Sequence, residues 1–245
     1  MFPRETAQKR AGALASSRVA LPLILQMVPN VNSIVHVGCR SGEWLAEAHR
    51  LGINDLRGIE VPWFDLRGSS VDSSLVTVLD FTRSIDLQET YDLALCFEIA
   101  EHLPASRAES FVADLSRLAP IVAFSAAIPG QGGTGHLNEQ WPEYWERLFS
   151  RVGYLFVDAL RRPMWRNPGG PAYLAQNLFL AVDERRISAY PFLEKTARAN
   201  DGRALGLVHP DVFKRFQITS IHAAARNLAF AIIERAQQRL HLQRR

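Results

Sequence analysis

At 245 residues, with 47% hydrophobic and 22% charged side chains, the chain is long enough to bury a substantial core and too apolar to be disordered. Its two cysteines, Cys39 and Cys96, form no CxxC pair, which excludes a cysteine-built zinc knuckle and argues against a disulfide-built secreted fold. The net charge of +3 is unevenly spread: residues 185–245 carry twelve Lys/Arg against four Asp/Glu, and the remainder sixteen against twenty-one. A basic tail of this kind suits either an anionic partner or a set of solvated helix faces.

Residues 1–17 read as polar and loose, and a short amphipathic helix is expected over 18–28, ahead of Pro29. The apolar run VALPLILQMV (19–28) is too short to span a bilayer and precedes no small-residue cleavage site, so the chain is expected to be cytoplasmic, with no membrane insertion. Strands and helices then alternate. Strands are expected at 33–38, 56–60, 75–80, 91–97 and 120–126, with helices at 42–51 and 105–117. The strands are near-continuous apolar runs, as a sheet covered on both faces requires. Cys39 and Cys96 fall at the ends of adjacent strands, where cysteine serves as a small hydrophobe.

A glycine-rich loop, IPGQGGTGHLNEQ, follows the fifth strand. After it come a helix over WPEYWERLFSRVG, a strand at 154–159, a turn-rich excursion RRPMWRNPGGPAY, and a strand at 177–182. The last sixty residues read as helical. A final helix over 218–242 carries a one-sided apolar stripe that docks either on its own domain or on a second copy in a homodimer. The fold class is α/β, a doubly wound, mostly parallel seven-stranded sheet. Its parts are an N-terminal segment and helix (1–29), a catalytic-type domain (30–183) and a basic helical extension (184–245).

In open α/β sheets ligands bind beyond the carboxyl ends of the strands, where the strand order reverses. Strand one ends in Gly38-Cys39-Arg40-Ser41-Gly42, a turn over which a bulky cofactor can approach the backbone. Strand two ends in Glu60, a carboxylate for two ribose hydroxyls. Strand three ends in Asp80-Phe81, a carboxylate for an exocyclic amine beside an aromatic face for a flat base. Strand four runs into Glu98-Ile99-Ala100-Glu101-His102-Leu103-Pro104.

With these four strand ends in order, the chain resembles the class I S-adenosylmethionine-dependent methyltransferases. His36-Val37-Gly38-Cys39-Arg40-Ser41-Gly42 resembles the first motif, GIE the second, VLDF the third and YDLALCFEIAEHLP the fourth. AAIPGQGGTGHLNEQWPEYW resembles a subgroup of bacterial methyltransferases, many from surface-polysaccharide or natural-product settings. The resemblance spans residues 30–183 and implies S-adenosyl-L-methionine held by His36, Gly38, Arg40, Gly42, Glu60, Asp80, Phe81 and Glu98. It departs in the first motif. His36 replaces the usual acid, and Arg40 replaces a glycine, so its backbone must be tolerable there without a positive φ. Arg40 either pairs with the cofactor's carboxylate or crowds the pocket.

Glu98, Glu101 and His102 stand at i, i+3 and i+4 and share one face if the segment is helical. Two readings of them stay open. With His136 they resemble the magnesium- or manganese-binding set of small-RNA 2′-O-methyltransferases, and in part that of quinone-pathway O-methyltransferases; such an ion would be held by Glu98, Glu101, His102 and His136. Alternatively His102 or His136 is a general base, with Glu98 or Glu101 orienting its ring; the catalytic set is His102, His136 and Glu101. The loop from Gly130 to Trp145 carries Asn138, Glu139 and Gln140, then Trp141, Tyr144 and Trp145. Polar groups followed by aromatics suit a polyhydroxylated ligand, and the glycines would let the loop close as a lid. Trp145 is expected in the core.

The function expected is methyl transfer to an oxygen of a small molecule, a sugar or glycosylated metabolite. The alternatives are RNA 2′-hydroxyl methylation, with nucleic acid meeting the basic tail, and a non-catalytic scaffold with a degenerate cofactor turn.

Overall fold

The computed structural model describes residues 6–167, 170–200 and 204–214. The chain divides into two compact units, Met1–Leu207 and Val208–Arg245. In the second unit residues 210–214 are helical. The expected helix over 218–242, and the dimer contact assigned to it, lie outside the described residues. Among those described, no helix is long and apolar enough to cross a membrane.

The first unit is built on seven strands: β1 (Ser33–Val37), β2 (Asp55–Glu60), β3 (Val76–Val78), β4 (Leu93–Phe97), β5 (Ile121–Ser125), β6 (Tyr154–Val157) and β7 (Phe179–Asp183). They lie in the order β3-β2-β1-β4-β5-β7-β6. All pairings are parallel except those of β7, which runs antiparallel to β5 and β6. The order reverses between β1 and β4, so the carboxyl ends of those two strands flank the switch point. Because β7 runs backwards, its amino end lies at that same edge. Cys39 and Cys96 are buried free thiols, as expected.

Helices cover both faces. α1 (Ala7–Met27) and α2 (Glu43–Arg50) pack on one side, and α3 (Ala108–Leu118) and α4 (Pro142–Arg151) contribute to the core on the other. α1 is longer than the sequence suggests. Thr6 caps it by accepting the amide of Lys9 at 3.3 Å, and the alanine-rich stretch after it favours helix in spite of Pro22. Within the segment read as loose, residues 7–17 are therefore ordered helix, with Ser16 and Ser17 buried. The turn-rich excursion also differs: it contains two short helices, α5 (Arg161–Trp165) and α6 (Ala172–Asn177). Pro163 and Pro171 suit first-turn and capping positions, where no amide donor is needed. α7 (Pro191–Asn200) follows β7 and a 3₁₀ segment.

On the α3/α4 side an aromatic stack fills the core. Phe149 lies 5.2 Å from Phe124 and 5.6 Å from Phe156, and Phe156 stacks on Phe179 at 4.5 Å. Trp145 joins it, 2% exposed and 5.3 Å from Phe124, so it is a core residue as expected. Phe149 is fully buried, and its truncation leaves a cavity walled by rigid rings. Phe149→Ala is expected to cost about 3–5 kcal/mol of unfolding free energy, measured by urea denaturation; a loss below about 1 kcal/mol would show that the stack can collapse onto the gap.

Candidate active site

The glycine turn after β1 is formed as expected, with positive φ at Gly38 and Gly42. Arg40 corrects one expectation: its φ is +51°, so this non-glycine residue does sit in the left-handed region. The strain is offset locally. Its amide donates to Glu60 Oε2 at 2.6 Å, and its guanidinium lies over the Phe64 ring at 5.7 Å. Glu60, 4% exposed, also accepts the Val61 amide at 2.8 Å through Oε1. Both backbone donors orient the carboxylate at the end of β2, which fits the residue expected there for ribose hydroxyls.

His36 is buried between Trp44 and Phe97, at ring distances of 6.2 and 5.8 Å. Burial pushes its pKa down to about 3, so the ring is neutral at physiological pH, and its Nδ1 has no hydrogen-bond partner. It cannot replace the negative charge of the acid that the motif usually carries. Asp80 follows β3 and accepts Thr82 through its amide at 3.0 Å and its hydroxyl at 2.7 Å; these bonds hold its carboxyl below the usual range. Phe81 does not offer a face to a base. It is 4% exposed and packs into the core.

The turn that carries Asp80 is held from α3 by residues that sequence reasoning missed. Arg107, from the 3₁₀ turn before α3, donates to the carbonyls of Phe81 (3.1 Å) and Arg83 (2.6 Å). Asp114 pairs with Arg107 and Arg117 and accepts the Ile85 amide at 3.0 Å. A charged pair three to seven residues into a helix is a common surface pattern, and nothing in its spacing signals this role.

Beyond β4 the sequence expected a shared helical face for Glu98, Glu101 and His102. The chain instead makes a single 3₁₀ turn, Ala100–His102, after Glu98 takes a φ of +52°. Glu98 and Glu101 therefore do not share a helical face, although the Glu98 charge still reaches the Glu101 carboxyl. Glu98 accepts Gln131 Nε2 at 2.8 Å and Asn177 Nδ2 at 3.2 Å, and its amide donates to the Ser125 carbonyl at 3.0 Å. Gln131 Oε1 in turn accepts Asn177 Nδ2 and Gln176 Nε2 at 2.9 and 3.3 Å. Gln176 and Asn177, at the amino end of β7, were not foreseen. Two consecutive amides, 0% and 1% exposed, at the mouth of an apolar strand were the available signal.

Glu101 is fully buried, and neither carboxylate oxygen has a hydrogen-bond partner among the described residues. Burial pushes its carboxyl well above the usual range, and the nearby charge of Glu98 adds to the shift. Glu101, His102 and His136 each bring a ligand atom within 4.8 Å of the others. His102 and His136 pack edge to face at 4.8 Å. The rings are not oriented by Glu98 or Glu101. His102 Nδ1 faces the Gly135 carbonyl at 3.2 Å, and His136 Nδ1 faces Glu139 Oε1 at 2.8 Å. Each contact fixes the tautomer that keeps the proton on Nδ1 and leaves the Nε2 lone pair for a ligand. Gly133 provides room for that atom of His136: a Cβ there would lie 2.1 Å from Nε2.

The glycine-rich loop is already fastened and does not stand open as a lid. The amides of Leu137 and Asn138 donate to the Glu101 carbonyl at 2.7 and 3.0 Å, and those of Gly130 and Gly132 to the Glu139 carboxylate at 2.7 and 2.8 Å. Glu139 is consumed in this way, and Asn138, 3% exposed, accepts Gln140 Nε2 at 2.9 Å. The Asn138 Nδ2 is buried without a hydrogen-bond partner among the described residues.

The strand order, the reversed β7 and the polar strand ends converge on one architecture. The chain has the class I methyltransferase fold. Its sheet superposes on the sugar N-methyltransferase KedS8 from Streptoalloteichus sp ATCC 53650 with a TM-score of 0.56, at 15% identity over 74% of this chain and 94% of that one. DesVI of Streptomyces venezuelae gives 0.52 at 15% identity, covering 71% of this chain and 93% of that one. CalS10, an amino pentose methyltransferase of Micromonospora echinaspora solved with S-adenosylmethionine bound, gives 0.51 at 14% identity, covering 75% and 99%. No protein-family model matches the sequence, and no curated protein matches it. Within this methyltransferase fold, Glu101, His102 and His136 lie beyond β4 and in the loop after β5, beside the switch point.

The buried carboxyl has a pH signature. Between the ordinary glutamate value of 4.5 and its raised folded value, native Glu101 holds a proton that the unfolded chain has lost, so this contribution to stability disappears as pH rises through that window. Without divalent cations, the melting temperature of the wild-type chain is expected to fall relative to that of Glu101→Gln as pH rises above 4.5, the buried His36 acting equally on both. A parallel pH profile in the variant would show that the carboxyl is not buried as described.

Proposed function

We propose that the protein is an S-adenosylmethionine-dependent methyltransferase that transfers a methyl group to an oxygen of a small hydroxylated molecule of the sugar class, with a divalent cation at Glu101, His102 and His136. The observation that carries the reading is the buried Glu101 carboxylate, without a partner, beside two imidazoles whose Nδ1 atoms are already engaged. A lone buried carboxylate is costly unless a proton or a cation meets it. One carboxylate and two imidazoles suit a borderline divalent ion such as Mn²⁺, or Mg²⁺ more weakly. Glu98, which the sequence groups with these residues, accepts amides at both oxygens and is not among the side chains whose ligand atoms lie within 4.8 Å of one another.

In this reading Glu60 would meet the ribose and Asp80 an exocyclic amine, with the positive-φ glycines Gly38 and Gly42 shaping the turn between them. The fold shared with a sugar N-methyltransferase and an amino pentose methyltransferase supports a sugar-class acceptor.

When bound, S-adenosylmethionine supplies an electrophilic methyl group, and a divalent cation supplies the positive charge that lowers the pKa of a hydroxyl. The chain's own residues supply position and dryness. Gln131, Gln176 and Asn177 lock Glu98 and thereby the end of β4, and the Gly135 carbonyl and Glu139 aim the two rings. Burial lowers the His102 pKa, so its imidazole is neutral at pH 7 and able to hold a ligand or take a proton at Nε2. Positioning of this kind is the main lever for an in-line displacement.

The test is calorimetric titration of S-adenosylhomocysteine and, separately, of Mn²⁺ and Mg²⁺ into the full chain. One-to-one binding of the nucleoside is expected, together with Mn²⁺ binding that weakens by about tenfold or more in His136→Ala and Glu101→Gln. Folded protein that binds no S-adenosylhomocysteine would remove the methyltransferase reading. Mn²⁺ binding that ignores both substitutions would remove the cation from it.

A further inference from the structure

A groove of about 400 Å³ opens at the start of α4, lined by Gln140, Trp141, Glu143, Tyr144, Arg147 and Gly206. We propose that it binds the acceptor through an anionic group, the acceptor being a sugar acid or a sugar phosphate. The identity of the ligand as a methyl acceptor rests on the reading above; its binding in the groove does not.

The argument begins with a pairing that fails to form. Glu143 and Arg147 stand at i and i+4 on α4, the spacing at which opposite charges ordinarily meet. Glu143 has turned away: its Oε1 accepts the amides of Leu205 and Gly206 at 2.9 and 2.8 Å. Arg147 lies instead over the Tyr144 ring, 5.9 Å from its centroid, and among the described residues no carboxylate pairs with it. A guanidinium laid on an aromatic face is a pre-oriented fork for a carboxylate or a phosphate.

The rest of the groove suits the ring that would carry that anion. Trp141 is 43% exposed, an unusual position for so large an apolar side chain, and its face can cover the C–H side of a sugar. Gln140 donates its Nε2 to Asn138 and keeps Oε1 as an acceptor; Glu143 keeps Oε2. Both are acceptors for ring hydroxyls. The two backbone amides on Glu143 temper its repulsion of an anion. Gly206 keeps the space open, since a Cβ there would lie 3.4 Å from both Glu143 Oε1 and Trp141 Cε3. The groove is also tied to the reaction centre: Gln140 bonds to Asn138, and the Asn138 amide bonds to the Glu101 carbonyl.

Calorimetric titration of the full chain, without cofactor, with glucose 6-phosphate, glucuronate and glucose separates the outcomes. At least one anionic sugar is expected to bind about tenfold or more tightly than glucose, and whichever is tighter names phosphate or carboxylate as the source. Arg147→Ala and Trp141→Ala should each weaken that binding by about tenfold while leaving S-adenosylhomocysteine binding unchanged, and Arg147→Lys should recover only part of it. Equal affinity for glucose and the two anions would overturn the proposal. So would full retention in Arg147→Ala, or no binding of any of the three sugars. If anionic sugars bind and S-adenosylhomocysteine does not, the groove stands and the methyltransferase reading falls.

Discussion

Two backbone hydrogen bonds onto the carbonyl of Glu101, from Leu137 and Asn138, hold the glycine-rich loop against the end of β4. The geometry of the site depends on them. They keep Gly135 within reach of His102 and Glu139 within reach of His136, and Glu139 is itself held by the amides of Gly130 and Gly132. The same residue thus anchors the loop through its carbonyl and presents an unpartnered carboxylate through its side chain. Satisfying the backbone of Glu101 while leaving its side chain unmet concentrates unfilled hydrogen-bonding capacity at one atom pair. That pair faces the two imidazoles.

The first turn shows a different compromise. An acid at position 36 would place a negative charge on the floor of the cleft; a neutral His36 between Trp44 and Phe97 places none. Arg40 then adds a positive charge two residues beyond Gly38, in a backbone conformation that costs an L-residue about 1–2 kcal/mol. The short bond to Glu60 holds it there. Both changes shift the cleft towards positive charge. That shift suits the carboxylate end of an amino-acid moiety better than its ammonium end.

Much of this was legible in the sequence, for a physical reason. Strands buried on both faces must be apolar along their whole length, and β1, β4, β5 and β7 stand out as such runs; the ends of all seven strands were misplaced by no more than a residue or two. The grouping of Glu101, His102 and His136 was also legible, because the first two follow a strand directly and the third lies in the next strand's loop. What failed to show were partners brought in by chain reversal. Gln176 and Asn177 reach Glu98 only because β7 runs antiparallel, and no local pattern announces that direction. α1 was shortened because residues 1–17 read as polar and loose although Thr6 caps a helix there, and α5 and α6 were hidden by prolines that begin short helices as readily as they break long ones. Glu98 was grouped with Glu101 and His102 by helical spacing, and a single residue at φ +52° was enough to end that helical face.

The loop and the helix after it also show how structural and ligand-facing polar residues can be told apart. Glu139, the side-chain oxygen of Asn138 and one oxygen of Glu143 spend their hydrogen bonds on the chain itself, fastening the loop or the 205–206 backbone. Subtracting them leaves Gln140 Oε1, the second oxygen of Glu143, the face of Trp141 and the guanidinium of Arg147, all on one groove. From sequence alone the whole polar cluster reads as hydroxyl-binding, because composition cannot say which groups the fold has already used. Once the internal bonds are assigned, the remaining capacity is anisotropic, with acceptors and an aromatic face at one end and a cation on α4. A neutral polyol would leave the cation unmatched, whereas a hydroxylated ring bearing an anion uses every group that the fold leaves over.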